Sequence, residues 1–195
     1  GDVAVFLNEQ GKNSLVDLAP RADELDPEIV DGVMISHAAS GIKVLAAPFR
    51  PEYAENVTGE QFVKVLKYLC RIYSYVLVDT SSSLDDVTLG SLQDASDLVI
   101  LVTTQDIPSI KNARLFLDLS DQLGIERRRI LFVMNRFDKR IGITPEKISE
   151  SFKQEIVAVI PVDERTVVPS VNRGVPFMLG DKSRPVARGI LSLVG

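Results

Sequence analysis

The chain of 195 residues has no tryptophan, one cysteine and one histidine. With Cys70 alone, no internal disulfide can form. Its place in a helical apolar pattern predicts a buried thiol, and the scarcity of cysteine fits a reducing compartment. His37 has no second histidine or cysteine at ligand spacing, so neither a zinc centre nor a Ser-His-Asp set can be assembled; it reads as structural or solvated. No apolar run approaches the roughly 20 residues that cross a bilayer. No basic stretch followed by an apolar one opens the chain, which excludes a signal peptide; starting at Gly1-Asp2 without methionine, it looks like the middle of something longer. Excess basic charge is also missing. A net charge of -5 argues against a nucleic-acid binder held mainly by phosphate contacts. The phosphate-loop pattern G-x-x-x-x-G-K-[ST] does not occur either. Gly11-Lys12-Asn13 is the nearest fragment, but Phe6 stands where the first glycine belongs and no hydroxyl follows the lysine.

What is present suits one α/β domain over residues 1–195, with 45% apolar residues for a core and 25% charged residues for a surface. Strands are predicted at Ile42–Ala46, Tyr75–Val78, Leu98–Val102, Ile130–Met134 and Ile156–Ile160. The runs at 98–102 and 130–134 do not alternate with polar residues, which indicates burial on both faces of a parallel sheet. Helices are predicted between them. Thr58-Gly59-Glu60-Gln61 is a capping box before Phe62, Leu66, Leu69 and Tyr73; a second helix follows Pro108, with a stripe at Leu115, Phe116, Leu119 and Leu123 ended by Gly124. Thr144-Pro145-Glu146 opens a third, Glu164 to Asn172 a fourth stopped by Gly174, and Val186 to Leu193 a last one. The first forty residues, broken by Pro20, Pro27 and Gly32, predict short helices and loops. The order implies a doubly wound, mostly parallel sheet with helices on both faces.

Ligands of such sheets sit at the carboxyl ends of the strands. Those ends are Ala47-Pro48, Asp79-Thr80, Thr103-Thr104-Gln105, Asn135-Arg136 and Pro161-Val162-Asp163. A carboxylate fixed after Tyr75–Val78 can hold Mg²⁺ through its waters beside phosphates, the Walker B arrangement; it can equally cap a turn. Asn135-Arg136-Phe137-Asp138 is similar to the N-K-x-D signature that reads guanine, because an amide both donates to and accepts from a base edge. A turn asparagine is the plainer alternative. Ser81-Ser82-Ser83 reads as a turn rather than a nucleophile. Glu126-Arg127-Arg128-Arg129 and the set Lys182, Arg184 and Arg188 read as solvated basic surface.

Taken together, the strand ends resemble those of the ParA/MinD family of deviant-Walker, P-loop NTPase-like ATPases. The resemblance rests on Tyr73 to Thr80, on Leu98 to Thr104 with Asp106-Ile107-Pro108-Ser109-Ile110-Lys111-Asn112-Ala113, and on Ala158-Val159-Ile160-Pro161-Val162-Asp163-Glu164-Arg165 continued by Val171-Asn172-Arg173-Gly174-Val175-Pro176. Gly1 to Asn8 and Gly41 to Pro48 most resemble the pilus-assembly branch called CpaE or TadZ. The resemblance covers nearly the whole chain. It implies that Asp79 lies near Mg²⁺, that Asn135 contacts adenine with Arg136 beside it, and that Pro161, Val162 and Asp163 line the base pocket. It implies ATP and Mg²⁺ as ligands of a longer parent whose catalytic aspartate and phosphate loop lie upstream of Gly1, with no ligand held by these residues alone. It further implies an ATP-dependent homodimer in that parent, pilus or secretion machinery as partners, and a cytoplasmic location, polar or peripheral to the inner membrane. Without a phosphate-loop strand beside it, the 75–78 strand is expected to expose an edge, so that the sheet closes differently or pairs between copies.

Three rivals stand beside this reading. A GTPase-like domain would want D-x-x-G where the sequence has Asp79-Thr80-Ser81-Ser82. A receiver-like phosphorylation switch would use Asp79 as acceptor with Thr103 or Thr104, but it needs a lysine where Asn135 stands. A scaffold of the same fold would dock partners without turnover.

Overall fold

The computed structural model describes residues 3–48, 51–80, 82 and 85–194; the expectations for Gly1, Asp2, Ser81, Ser83 and Gly195 fall outside them. The chain divides into two compact units. One comprises Gly1–Ser96 with Val171–Val175, the other Asp97–Ser170 with Pro176–Gly195.

The first unit is built of short pieces, as its prolines and glycines require. Helices α1 (Val3–Phe6), α2 (Leu15–Leu18) and α3 (Pro27–Val33) precede an antiparallel pair, β1 (Ile35–Ser36) and β2 (Lys43–Val44), then α4 (Pro51–Ala54), α5 (Gly59–Ile72) and α6 (Asp86–Gly90). Asp26 starts α3 by accepting the Ile29 N–H at 2.8 Å, and Pro27 takes the first helical position, where a missing donor costs nothing. The Thr58–Gln61 capping box starts α5 as predicted. Leu18, Val30, Val65 and Leu69 form the core, with Leu45, Tyr73 and Val76 against it.

Three expectations for this unit are corrected, those for Cys70 and for the strands at 42–46 and 75–78. Cys70 is exposed: the buried face of α5 is Val65, Leu66 and Leu69, and Cys70 turns just past it. His37 is buried, the structural one of its two readings, with Nδ1 2.6 Å from Ser40 Oγ. The predicted strand Ile42–Ala46 shrinks to β2, and Ala46 O accepts from Leu15 N–H instead of from a strand. The predicted strand Tyr75–Val78 pairs with nothing among the described residues.

The second unit carries the parallel sheet. β3 (Val99–Thr103), β4 (Ile130–Phe137) and β5 (Ile156–Pro161) lie in that order, all parallel. Helix α7 (Ile107–Gln122) connects the first two and α8 (Pro145–Phe152) the second two. Two successive right-handed crossovers in one direction put both helices on one face. Ala113 of α7 and Ile148 of α8 accordingly share a core with Phe132 and Met134 of β4. The buried face of α7 is Ala113, Leu117 and Ser120, not the predicted stripe, and Leu115 is exposed. Small residues let the helix approach the sheet, so apolarity alone misplaced the stripe.

Helices α9 (Glu164–Arg173) and α10 (Pro185–Val194) follow β5. α10 packs along β5 at Gly189, where an added Cβ would lie 3.0 Å from both Ile160 Cα and Val159 O. No helix among the described residues is long and apolar enough to cross a membrane.

Candidate functional site

The carboxyl ends of β4 and β5 build the site. Asn135 is half-buried, and its Oδ1 accepts the Arg136 N–H at 2.9 Å. Arg136 takes a left-handed backbone, φ 54°, which most non-glycine residues avoid and which tends to mark functional strand ends. The ladder shifts register between Met134 and Phe137, so that Phe137 pairs with Pro161. Val162 N–H then donates to Phe137 O at 3.0 Å, fastening the two strand ends together. The Arg136 guanidinium turns outward to Glu164, in the first turn of α9, at 3.1 Å.

Between these ends lies a shallow cavity of about 290 Å³, lined by Phe137, Asp138, Lys139, Arg140, Pro161 and Val162. Its size is at the lower limit of small-molecule sites, about 300 Å³. Phe137, Pro161 and Val162 make it apolar enough for a flat ring, and Asp138 to Arg140 give it a charged rim.

The rim is tightly ordered. Arg140 Nε donates to both Asp138 oxygens, at 2.9 and 3.0 Å, and Nη2 donates to Oδ2. The Arg140 backbone N–H adds a bond to Oδ1 at 2.9 Å. These bonds, the Arg140 guanidinium foremost, hold the Asp138 carboxyl down at about 2. Gln105, buried at the end of β3, supports the rim from below. Its Oε1 accepts the Asp138 N–H at 2.7 Å and its Nε2 donates to Ile143 O at 2.7 Å. Ser109 Oγ accepts the Thr104 N–H, and Asp106 caps α7 through the Ser109 N–H.

Of the residues singled out by sequence, Pro161 and Val162 line the cavity, while Asn135 and Arg136 lie on β4 immediately before it. Asp163 accepts the Thr166 N–H at 3.1 Å and so starts α9. Phe137, Asp138 and Arg140 were not named as lining, although Phe137 and Asp138 belong to the quoted Asn135–Asp138 tetrad. Nothing in the sequence flagged the Gln105 staple, which joins residues 33 and 38 positions apart.

Asp79 belongs to the first unit and is exposed. No three His, Cys, Asp or Glu side chains gather into a metal-holding group among the described residues. A single exposed carboxylate fits magnesium only as a partner to its waters, with phosphate oxygens supplying the inner ligands. A larger groove of about 540 Å³ in the first unit, lined by Gly59, Glu60, Val63, Lys64, Lys67, Gly90 and Asp94, includes no strand end. The basic spots are partly paired: Arg127 with Asp121, Arg128 with Glu126 and Arg184 with Asp181.

No family model matches the chain. It is 27% identical over 135 residues to the septum site-determining protein MinD of Thermotoga maritima, covering 67% of this chain and 49% of that protein. The chain spans about half the length of the curated relatives it matches. Among solved structures, a ParA family ATPase from Chlorobium tepidum superposes with a TM-score of 0.89 at 23% identity, over 98% of this chain and 79% of that one. The septum site-determining protein MinD from Pyrococcus horikoshii, solved with Mg-ADP, superposes with a TM-score of 0.78 at 20% identity, over 97% of this chain and 75% of its own. The fold is that of the ParA and MinD ATPases: α/β, with a parallel sheet and covering helices.

Proposed function

We propose that the chain is the nucleotide-facing body of a ParA/MinD-like ATPase, and that the cavity between β4 and β5 receives the adenine of ATP. The observation that carries this is the position of an apolar, ring-sized cavity at two parallel-strand carboxyl ends, where ligands of such sheets bind. Phe137, Pro161 and Val162 would contact the ring faces. Asn135, with Oδ1 already engaged, would offer its Nδ2 to a base nitrogen, and Asp163 would hold α9 in place behind Val162. Asp79 would orient the waters of Mg²⁺, which supplies charge neutralisation at the phosphates when bound. Residues 1–195 contain no phosphate-loop pattern, so the grip on the phosphates and the catalytic aspartate would come from outside them.

Within that class we favour the CpaE/TadZ-like branch, which positions pilus or secretion machinery through an ATP-dependent homodimer in the cytoplasm or at the inner membrane. Its support is the likeness of Gly1–Asn8 and Gly41–Pro48 to that branch.

A second reading, a scaffold of the same fold without turnover, is favoured by the lack of a phosphate-loop pattern in residues 1–195. Hydrolysis separates the two. The ATPase reading expects Mg²⁺-dependent ATP turnover by the complete protein, lost in Asp79→Ala and in Val162→Trp, whose indole fills the cavity. Turnover that survives both substitutions would refute it, and absence of turnover with intact partner binding would establish the scaffold.

A further inference from the structure

Purines differ at their donor edge. Guanine presents N1–H and N2–H₂, and an ionised carboxylate, which only accepts, can meet both donors. Asp138 is the carboxylate on this cavity, and it stands in the tetrad that resembles a guanine-reading signature. An ionised carboxylate has about four lone-pair sites. Here the Arg140 backbone N–H and Nε occupy Oδ1, while Nε and Nη2 occupy Oδ2. Three N–H groups thus engage the carboxylate, Nε shared between both oxygens, which leaves room for about one further donor and not for guanine's two.

Resting on the base-cavity reading above, we propose that Arg140 is a specificity-determining residue: it locks Asp138 and so excludes guanine. The geometry favours this role over a simple surface ion pair. Asp138 is 18% exposed, and Gln105 fixes its backbone by accepting its N–H, which sets where the carboxylate stands on the cavity. Arg140 is 83% exposed, so the lock closes from the solvent side, over the carboxylate. Guanine that turned its N1–H and N2–H₂ edge to the rim would leave at least one donor unmet and facing a guanidinium, whereas adenine would turn its N1 acceptor to the same cationic edge. A site that leaves polar groups of a competitor unpaired rejects it strongly. The low titration of Asp138 agrees with a carboxylate held by the Arg140 donors.

The test titrates adenosine and guanosine separately into the complete native protein and into its Arg140→Gln variant, following amide shifts of these residues by NMR. The native protein is expected to bind adenosine at least about tenfold more tightly than guanosine, the discrimination of one good paired contact. Arg140→Gln is expected to tighten guanosine by about tenfold, and adding Asp138→Ala to that variant should abolish the gain, because the freed acceptor is then gone. Carboxyl shifts supply an independent readout: Asp138 should titrate at higher pH in Arg140→Gln. Adenosine binding by the native protein with no guanosine gain in the variant would overturn the lock and leave the base cavity standing. Failure of either nucleoside to perturb Phe137 or Val162 would overturn the base cavity, and the lock with it.

Discussion

Tyr75-Val76-Leu77-Val78 and Ile130-Leu131-Phe132-Val133-Met134 are apolar runs of similar length, each followed by a polar residue with a proposed ligand role. They end in opposite states. β4 is paired on both edges, with Phe132 0% exposed. The 75–78 run has no ladder among the described residues, and Tyr75 is 91% and Leu77 88% exposed, while Val76 reaches the core of the first unit. The difference teaches that an apolar run is half of a strand. The other half is a neighbour supplying N–H and C=O partners on each side, because unpaired backbone groups gain nothing from leaving water. β3 stands between the two cases. One edge pairs with β4, the other has no ladder among the described residues, and Ile100 and Val102 remain 45% and 53% exposed.

That contrast can be broken most readily by truncation. Phe132→Ala should destabilise the second unit by about 3–5 kcal/mol in denaturant unfolding, whereas Leu77→Ala should move stability by no more than about 0.5 kcal/mol. Equal losses would mean that the 75–78 run is packed after all. Next in size is Gly189→Ala, which should cost about 1–3 kcal/mol, because the new methyl meets backbone atoms of β5 rather than yielding side chains. An unchanged unfolding midpoint would show that α10 can ride away from the sheet freely.

The edge of β3 that is unpaired among the described residues sharpens the comparison differently. Val99 to Thr103 contains no charge and no proline, the devices that keep edge strands apart. Concentration-dependent association is expected by sedimentation, shifted toward monomer by Ile100→Lys. Association indifferent to that lysine would move the contact elsewhere. The smallest expected effect is electrostatic. Because the Asp138 carboxyl is lowered in the folded chain, its contribution to stability is complete above the ordinary value of 3.8 and is lost as pH falls toward about 2. Arg140→Gln should flatten that acid limb between the two values, and an identical limb would deny the pairing.

Much of the second unit was legible beforehand. The strands at 98–102, 130–134 and 156–160 each match an observed strand to within a residue or three, because their apolar runs have neighbours in the same chain to pair with. Helix starts at Thr58, Pro108 and Thr144 were legible because capping is local chemistry. Cys70 and Leu115 were misplaced because periodicity fixes a stripe only to within one residue's rotation, and small residues such as Ala113 and Ser120 mark the true contact face. At the candidate site, the positions of Pro161 and Val162 follow from strand ends that could be read directly. The Asp138–Arg140 lock and the Gln105 staple could not, since side-chain partners across a turn or between strands leave no periodic trace.

Everything proposed about function depends on whether the ends of β4 and β5 hold an adenine ring. The most direct measurement is an amide-shift map of residues 1–195 in the complete protein during titration with ATP and Mg²⁺. The account predicts saturable shifts concentrated at Phe137, Asp138, Lys139 and Val162. Saturable shifts confined to the α5–α6 groove around Val63 and Gly90, with the strand ends silent, would contradict it.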